Sequence, residues 1–217
     1  MENIAILGAS RGLGYQLACN LKSQAHLCLI SRKVENITQE FEPQHVVKSF
    51  DFTKEQSWSE VIDLLRSQNV HRVFYVAGGG PHGSFALKDW KDHQWAYKLN
   101  FLFPSYLLHA GLKNSELFQQ FIYVGSSVCE DQPDPKGASY CASKHAMKGL
   151  ISSIQKEKPN LDVRLFSPGY MDTDMLPPQA IPRKNHMNLL SPKEVAGELW
   201  QWAQSSDGDR HKIIPSL

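Results

Sequence analysis

Short apolar segments alternate with longer amphipathic stretches along the chain. The apolar segments are short and end at turn residues, as is typical of buried strands. They are residues 3–7, 26–30, 45–50, 73–76, 121–124, 161–166 and 212–214. Between them, apolar residues recur with helical spacing. These stretches are residues 13–23, 54–68, 90–112, 139–156 and 192–204, with a helix or loop at 34–42 and a polar loop at 131–137.

Strand and helix therefore alternate throughout, which predicts an α/β fold with a parallel sheet and right-handed crossovers. We expect a Rossmann-type doubly wound sheet of six to seven strands, with helices on both faces. No internal repeat or linker interrupts residues 1–217, so we expect a single domain. A proline-rich segment at about 171–188 is interpreted as a short substrate flap.

A glycine-rich turn follows the first predicted strand. Gly8, Gly12 and Gly14 lie between this strand and the helix that begins near Leu13. In a dinucleotide site such glycines allow a tight turn, close approach of the backbone to a pyrophosphate and close helix packing. The helix N-terminus then offers free N–H groups to the phosphates. An ordinary βα turn that happens to be rich in glycine is the alternative.

The end of the second strand bears on the choice of cofactor. An NAD site expects an acidic residue there, which bonds the ribose 2′-hydroxyl. Here Ser31 and Arg32 occupy that place, and Arg11 lies in the glycine turn. A hydroxyl and a guanidinium suit a 2′-phosphate. The sequence thus favours NADP over NAD, with a solvated loop as the alternative for Arg32.

Tyr140 and Lys144 are four residues apart on a predicted helix. This spacing places both side chains on one face. An ammonium close to a phenol lowers the pKa of the phenol, and a phenol so tuned can act as a general acid or base. Many such pairs are only part of a solvated helix face, so the pair is weak evidence alone.

Three further polar positions have two interpretations each. Asp51 either accepts a hydrogen bond from an adenine amino group or caps the next helix. Asn100 lies inside an apolar helix, where its side chain either makes a local hydrogen bond or takes part in the functional site. Ser126 and Ser127 follow the fifth strand, where ligands bind in open parallel sheets.

Composition excludes several classes of protein. The formal net charge is +1 and no long basic run occurs, so neither nucleic-acid nor membrane-surface binding is expected. No apolar stretch is long enough to span a bilayer. The N-terminus lacks the features of a signal peptide, which predicts a cytoplasmic protein. The four cysteines, Cys19, Cys28, Cys129 and Cys141, match no zinc pattern, so no metal is expected.

Taken in order, these motifs resemble the short-chain dehydrogenases/reductases. The resemblance covers about residues 4–173, and the separation of 13 residues between Ser127 and Tyr140 is usual in that family. The motifs that carry it are Gly8-x-x-x-Gly12-x-Gly14, Asp51, Ala77-Gly78, Asn100, Ser127, Tyr140-x-x-x-Lys144 and Pro168-Gly169.

The resemblance implies a catalytic set of four residues. Tyr140 exchanges a proton with the carbonyl or alcohol oxygen, and Lys144 lowers the pKa of Tyr140 and holds the nicotinamide ribose. Ser127 bonds the developing alkoxide, and Asn100 orders a water in a proton relay. The implied cofactor-binding residues are Gly8, Ser10, Arg11, Gly12, Leu13, Gly14, Ser31, Arg32, Asp51, Phe52, Ala77, Gly78, Tyr140, Lys144, Pro168, Gly169 and Thr173.

The expected function is therefore an NADP(H)-dependent oxidoreductase that reduces a ketone, diketone or aldehyde. Family members usually pair through the helices at 90–112 and 139–156, so a homodimer or homotetramer is expected. The alternative is an NADP(H)-binding sensor with little turnover. It is suggested by the short chain and by Tyr75-Val76, where the family usually has Asn-Asn.

Two local features refine this picture. The segment at 168–175, Pro-Gly-Tyr-Met-Asp-Thr-Asp-Met, resembles the sepiapterin and benzil reductase branch. Cys129 and Cys141 lie close in sequence to Ser127 and Tyr140. They either make the site sensitive to oxidants or are inert packing residues.

Overall fold

The fold is built on one parallel sheet of seven strands in the order β3-β2-β1-β4-β5-β6-β7. The structure is a computed structural model that describes residues 1–113, 117–127, 129, 133–158, 161–206 and 208–216. The predicted polar loop at 131–137 lies partly outside these residues. The strands are β1 (Glu2–Leu7), β2 (Ala25–Ser31), β3 (Val46–Ser49), β4 (Arg72–Tyr75), β5 (Gln120–Val124), β6 (Asp162–Pro168) and β7 (His211–Ile214).

The helices connect these strands as right-handed crossovers do in doubly wound folds. They are α1 (Gly12–Leu21), α2 (Glu35–Phe41), α3 (Trp58–Ser67), α4 (Trp90–Tyr97), α5 (Phe103–Lys113), α6 (Ala138–Glu157), α7 (Ile181–Lys184) and α8 (Pro192–Gln204). The predicted Rossmann-type α/β fold is confirmed. Helix α3 begins later than predicted, because a turn of 3-10 helix (Glu55–Ser57) precedes it.

Two hydrophobic layers cover the two faces of the sheet. Successive strand residues point to opposite faces, so Ala5 and Leu7 lie in one layer while Ile4 and Ile6 lie in the other. Helices α3, α5 and α6 contribute side chains to the first layer, and α1 and α8 to the second. Every central strand is therefore buried on both sides, which explains its nearly continuous apolar sequence.

The helix predicted over 90–112 is interrupted by one wider turn. Between α4 and α5, residues Lys98–Leu102 form a π turn, which contains Asn100. Two buried tyrosines from adjacent strands bond the backbone of this turn. The hydroxyl of Tyr75 donates to the carbonyl of Leu99 at 2.6 Å, and that of Tyr123 donates to the carbonyl of Asn100 at 2.6 Å.

Tyr75 stands at one of the two positions where the sequence departs from the family's Asn-Asn. Strand β4 nevertheless pairs along its length with β1 and with β5. The ring of Tyr75 stacks on that of Tyr123, with centroids 5.7 Å apart and planes 6° from parallel. The tyrosine thus ties the centre of the sheet to the helix that carries Asn100.

The predicted flap at 171–188 contains the short helix α7. Met171 and Leu190 form an isolated parallel bridge at its base. Within the flap, Arg183 contacts the carboxylate of Asp172 at 2.8 Å and donates to the carbonyl of Thr173 at 3.1 Å. These contacts fold the segment back toward the carboxyl ends of β1 and β6.

In the described part of the chain, the helices are all too short or too polar to cross a membrane.

We predict that Tyr75→Phe lowers the free energy of unfolding by about 1–3 kcal/mol, because it leaves the buried carbonyl of Leu99 without its donor. Urea unfolding of the purified protein measures this change. Tyr106→Phe is the matched control, since Tyr106 is only partly buried and packs its ring on Trp58. We expect the control to change stability by less than about 0.5 kcal/mol. Equal effects of the two substitutions would show that the hydrogen bond from Tyr75 does not stabilise the fold as proposed.

Candidate active site

A cavity of about 670 Å³ opens at the carboxyl ends of the strands. This is where ligands bind in open parallel sheets. Its walls come from the glycine turn after β1, the turns after β2 and β4, the start of α6 and the flap. Its volume lies within the range of about 300–1,000 Å³ that is common for cofactor and ligand sites.

The glycine turn forms one wall of the cavity. At Gly8 and Gly14 its backbone lies so close to neighbouring backbone that a side chain would not fit. A Cβ on Gly8 would lie 2.5 Å from the nitrogen of Ala77, and Gly8 has a φ of +101°. A Cβ on Gly14 would lie 2.2 Å from the carbonyl oxygen of Gly8. Gly8 and Gly12 line the cavity, whereas Gly14 packs behind the turn. The predicted roles of the glycines in turn geometry and helix packing agree with these positions.

The predicted 2′-phosphate residues lie together at the end of β2. Ser31 donates to the hydroxyl of Ser10 at 2.9 Å, and both serines line the cavity with Arg11 and Arg32. Both arginines are exposed. Within the described residues, no ion pair joins either guanidinium to a carboxylate. The cavity therefore has two available positive charges at this end.

Asp51 and Phe52 lie on the wall beside these arginines. The carboxylate of Asp51 accepts hydrogen bonds from the backbone N–H of Thr53 at 3.0 Å and from its hydroxyl at 2.7 Å. Burial acts to raise the pKa of Asp51, but these bonds outweigh it and hold the pKa below its usual value. The prediction that Asp51 caps the next helix is wrong, since the carboxylate closes a turn at Thr53 instead.

Tyr140 and Lys144 lie in the first two turns of α6, on the cavity side. The ammonium of Lys144 donates to the carbonyl of Val124 at 2.6 Å, and Lys144 is only 4% exposed. It lies 4.5 Å from the ring centroid of Tyr123 and 5.5 Å from that of Tyr140. The predicted pairing of Tyr140 and Lys144 on one helix face is what the structure has.

Burial shifts the pKa values of both Lys144 and Tyr140. Removal from bulk water lowers the pKa of Lys144 to about 7. Removal from bulk water also raises the pKa of Tyr140 well above its usual value, although a hydrogen bond with Ser126 acts in the opposite direction. Desolvation thus favours the uncharged form of each group, and the lowering of the Tyr140 pKa by Lys144 stays a prediction.

Ser126 lines the cavity, and its hydroxyl acts to lower the pKa of the Tyr140 phenol. Ser127, which the family spacing indicates, is equally buried but does not lie on the cavity wall. The role of Ser127 at the developing alkoxide, which the family spacing implies, therefore stays a prediction.

Asn100 supports the wall from behind. Its side-chain amide donates to the carbonyls of Ala96 and Gly79, each at 2.7 Å, and accepts from the N–H of Gly79 at 3.1 Å. It is fully buried and is not part of the cavity wall. A Cβ on Gly78 would lie 3.3 Å from Asn100 and 3.5 Å from the ammonium of Lys144. Asn100 therefore fixes the turn that separates it from Lys144, and its part in a water relay stays a prediction.

The remaining predicted residues close the cavity near the flap. Ala77 and Gly78 line it after β4, and Leu13 lines it at the start of α1. Pro168 and Gly169 line it after β6, and a Cβ on Gly12 would lie 3.3 Å from the Thr173 methyl. The sequence interpretation missed Trp95 and Leu99, two wall residues whose types gave no chemical signal.

The chain belongs to the short chain dehydrogenase family, whose model matches residues 2–183. The resemblance inferred from the ordered motifs is thereby confirmed. The sepiapterin reductase of Bos taurus is 26% identical over 196 residues, which cover 78% of this chain and 73% of that protein. This relative agrees with the branch that the segment at 168–175 suggests.

Solved structures share the fold at low identity. BdcA in complex with NADPH has a TM-score of 0.83 at 20% identity, covering 99% of this chain and 93% of that chain. The 4-hydroxyisoleucine dehydrogenase complexed with NADH has a TM-score of 0.87 at 16% identity, covering 100% and 98%. These likenesses support the fold assignment.

We predict a pH-dependent effect of Lys144→Met on the stability of the cofactor-free protein. The folded pKa of Lys144 is about 7, whereas an unfolded lysine titrates near 10.4. Between these values the unfolded chain binds more protons, so this group makes the wild type more stable as pH rises. The cost of burying the charged lysine is fully present below about pH 7.

The free energy of unfolding of the wild type, relative to Lys144→Met, should therefore rise by up to about 1.4 kcal/mol per pH unit between pH 7 and 9. Urea unfolding at several pH values measures this slope. Lys156→Met, on the exposed end of the same helix, is the control and should give a curve parallel to the wild type. If the stability curve of Lys144→Met runs parallel to that of the wild type, the lowered pKa of a buried Lys144 is contradicted.

Proposed function

We propose that the protein is an NADP(H)-dependent oxidoreductase that reduces a carbonyl to an alcohol, with Tyr140 as the proton donor. The observation that carries this proposal is the meeting of Ser126, Tyr140 and Lys144 on the wall of the same cavity as the glycine turn. The phenol of Tyr140 lines this cavity, and its raised pKa favours the protonated state that a proton donor to a carbonyl oxygen needs.

The chemical groups on the cavity wall suit a phosphorylated dinucleotide. The glycine turn leaves backbone exposed where a Cβ would collide, and the N-terminus of α1 follows directly. Helix N-termini favour phosphate groups. Arg11, Arg32, Ser10 and Ser31 supply charge and hydroxyl groups at the end of β2, where a 2′-phosphate would be bound. Related folds hold NADPH or NADH, so our preference for NADP depends on these four residues.

The cofactor, when bound, supplies the hydride. Our proposal for the protein is that it holds the carbonyl oxygen between two hydroxyl groups. Both side chains line the same cavity, and Ser126 acts on the pKa of the Tyr140 phenol, so we propose that one oxygen of a substrate reaches both. Two such donors stabilise negative charge as it develops on that oxygen, and Tyr140 then transfers its proton. Lys144, with its depressed pKa, can return a proton to the site near neutral pH.

We predict that Tyr140→Phe lowers kcat for carbonyl reduction by about 100- to 10,000-fold, which is the usual contribution of a general acid. NADPH affinity should change little, because the glycine turn and the arginines are untouched. The measurement is NADPH oxidation against a panel of diketones, pterins, quinones and aldehydes, with cofactor binding followed separately. Tyr15→Phe is the matched control, since Tyr15 lies on the exposed side of α1 and bonds Glu40.

Two results would contradict the proposal that the protein is a carbonyl reductase with Tyr140 as the proton donor. If no carbonyl in the panel is reduced and NADPH still binds, the sensor interpretation is the better one. If Tyr140→Phe reduces carbonyls as fast as the wild type, a different group is the proton donor.

We predict that Arg32→Ala raises the KM for NADPH by about 10- to 100-fold, which corresponds to the loss of one charge-assisted hydrogen bond. The KM for NADH should remain within about twofold, because NADH lacks the 2′-phosphate. Steady-state kinetics with both cofactors measure the two effects. Arg66→Ala, at an exposed ion pair on α3, is the control. Equal losses with NADPH and NADH would exclude a 2′-phosphate contact.

A further inference from the structure

Two thiols that the proposed reaction does not use meet at the cavity wall. Cys129 follows β5 and Cys141 lies in the first turn of α6, yet their sulfur atoms are 3.3 Å apart. Both are free cysteines, and both line the cavity. Both lie beside the proposed donors, since Cys141 follows Tyr140 in the sequence and the backbone N–H of Cys129 donates to the carbonyl of Ser126 at 3.1 Å.

The two thiols differ in exposure and in acidity. Cys141 is 5% exposed, while Cys129 is fully buried. The hydrogen bond with Cys129 lowers the pKa of Cys141 to about 7, assisted by a bond from the backbone of Asp134 and opposed by burial. The same thiol–thiol bond, followed by burial, raises the pKa of Cys129 far above its usual value. Both thiols line the cavity, and Cys141 has the more acidic sulfur while Cys129 has the less acidic one beside it.

We propose that Cys129 and Cys141 are a redox site, which a hydroperoxide oxidises to a reversible disulfide that switches off the neighbouring Ser126–Tyr140 pair. The switching part of this proposal rests on the proposed function, whereas the disulfide itself does not. The other two cysteines give a comparison within the chain, since Cys19 lies on α1 and Cys28 on β2, and neither lines the cavity.

The chemistry needs only the thiols and one equivalent of hydrogen peroxide. The Cys141 thiolate attacks one peroxide oxygen and the O–O bond breaks, giving a sulfenic acid and a hydroxide that takes up the proton released by Cys141. The Cys129 sulfur then attacks the Cys141 sulfur, the S–O bond breaks, and the thiol proton leaves with the hydroxyl as water. Two thiols lose two electrons in total, and the peroxide becomes two waters.

Disulfide formation alters the positions of both donors. A disulfide bond is about 2 Å long, so the sulfurs must approach by about 1 Å. Ser126 is coupled to this movement, because its carbonyl accepts the N–H of Cys129 at 3.1 Å. Tyr140 is coupled to the same movement, because it precedes Cys141 in α6. A misplacement of about 1 Å can lower a rate by about 100-fold. The glycine turn lies on another wall, so NADPH binding should persist.

The first experiment tests the disulfide. The reduced full-length protein is treated with one equivalent of hydrogen peroxide, remaining thiols are alkylated, and peptides are mapped by mass spectrometry. We expect a Cys129–Cys141 disulfide, with Cys19 and Cys28 alkylated. Cys19→Ser should form the same disulfide. Cys129→Ser should instead accumulate a sulfenic acid at Cys141 that dimedone traps, and Cys141→Ser should give neither product.

The second experiment compares carbonyl reduction before oxidation, after oxidation and after dithiothreitol, with each variant measured against its own reduced state. We expect a loss of about 100-fold that dithiothreitol reverses, present in the wild type and Cys19→Ser and absent in Cys141→Ser. Unchanged turnover after complete disulfide formation would overturn the switch.

Failure of the thiol proposal is distinguishable from failure of the proposed function. If both thiols of the pair remain alkylatable after peroxide while Cys19 is oxidised, the redox site is excluded whatever the turnover. If the reduced protein reduces no carbonyl at all, the proposed function fails, and peptide mapping still decides whether the redox site exists.

Discussion

Two buried phenol hydroxyls determine the shape of the active-site wall. The π turn between α4 and α5 presents the carbonyls of Leu99 and Asn100 to the sheet, where Tyr75 and Tyr123 donate to them. Buried carbonyls without a donor are costly, so these bonds stabilise a turn that an ordinary α-helix would not form. Asn100 is thereby directed at both backbone groups of Gly79. Wide turns of this kind are frequent at functional sites.

The turn after β4 transmits this constraint to the chemistry. A Cβ on Gly80 would lie 2.9 Å from the Cβ of Tyr140, and one on Gly78 would lie 3.5 Å from the ammonium of Lys144. The backbone held by Asn100 thus packs directly against the two residues expected to handle protons. Lys144 is thereby removed from bulk water, which lowers the pKa of its ammonium, and desolvation is also the largest cause of the raised pKa of Tyr140. Geometry and acidity at the site have one common origin.

The sequence predicted the fold because alternating apolar and amphipathic segments leave few other arrangements. Helical spacing placed Tyr140 and Lys144 on one face, and the family resemblance supplied their proposed roles. The sequence could not predict the π turn, since the apolar pattern over 90–112 is compatible with one uninterrupted helix. Nor could it show which of Ser126 and Ser127 lines the cavity, since the two differ by one residue in a turn without a fixed period. The pKa of Tyr140 depends on burial, which no spacing reveals. The contact between Cys129 and Cys141 likewise arises only when β5 and α6 meet.

The order of the strands also bears on how the protein is made. Strands β3, β2, β1 and β4 are neighbours in the sheet, and all come from residues 2–75. Strands β5, β6 and β7 add to one edge and come from residues 120–214. During synthesis, which proceeds from the N-terminus, the first four strands can pair before the second half leaves the ribosome. Until β5 emerges, the growing half-sheet exposes the apolar edge of β4, which makes the nascent chain vulnerable to aggregation at that stage.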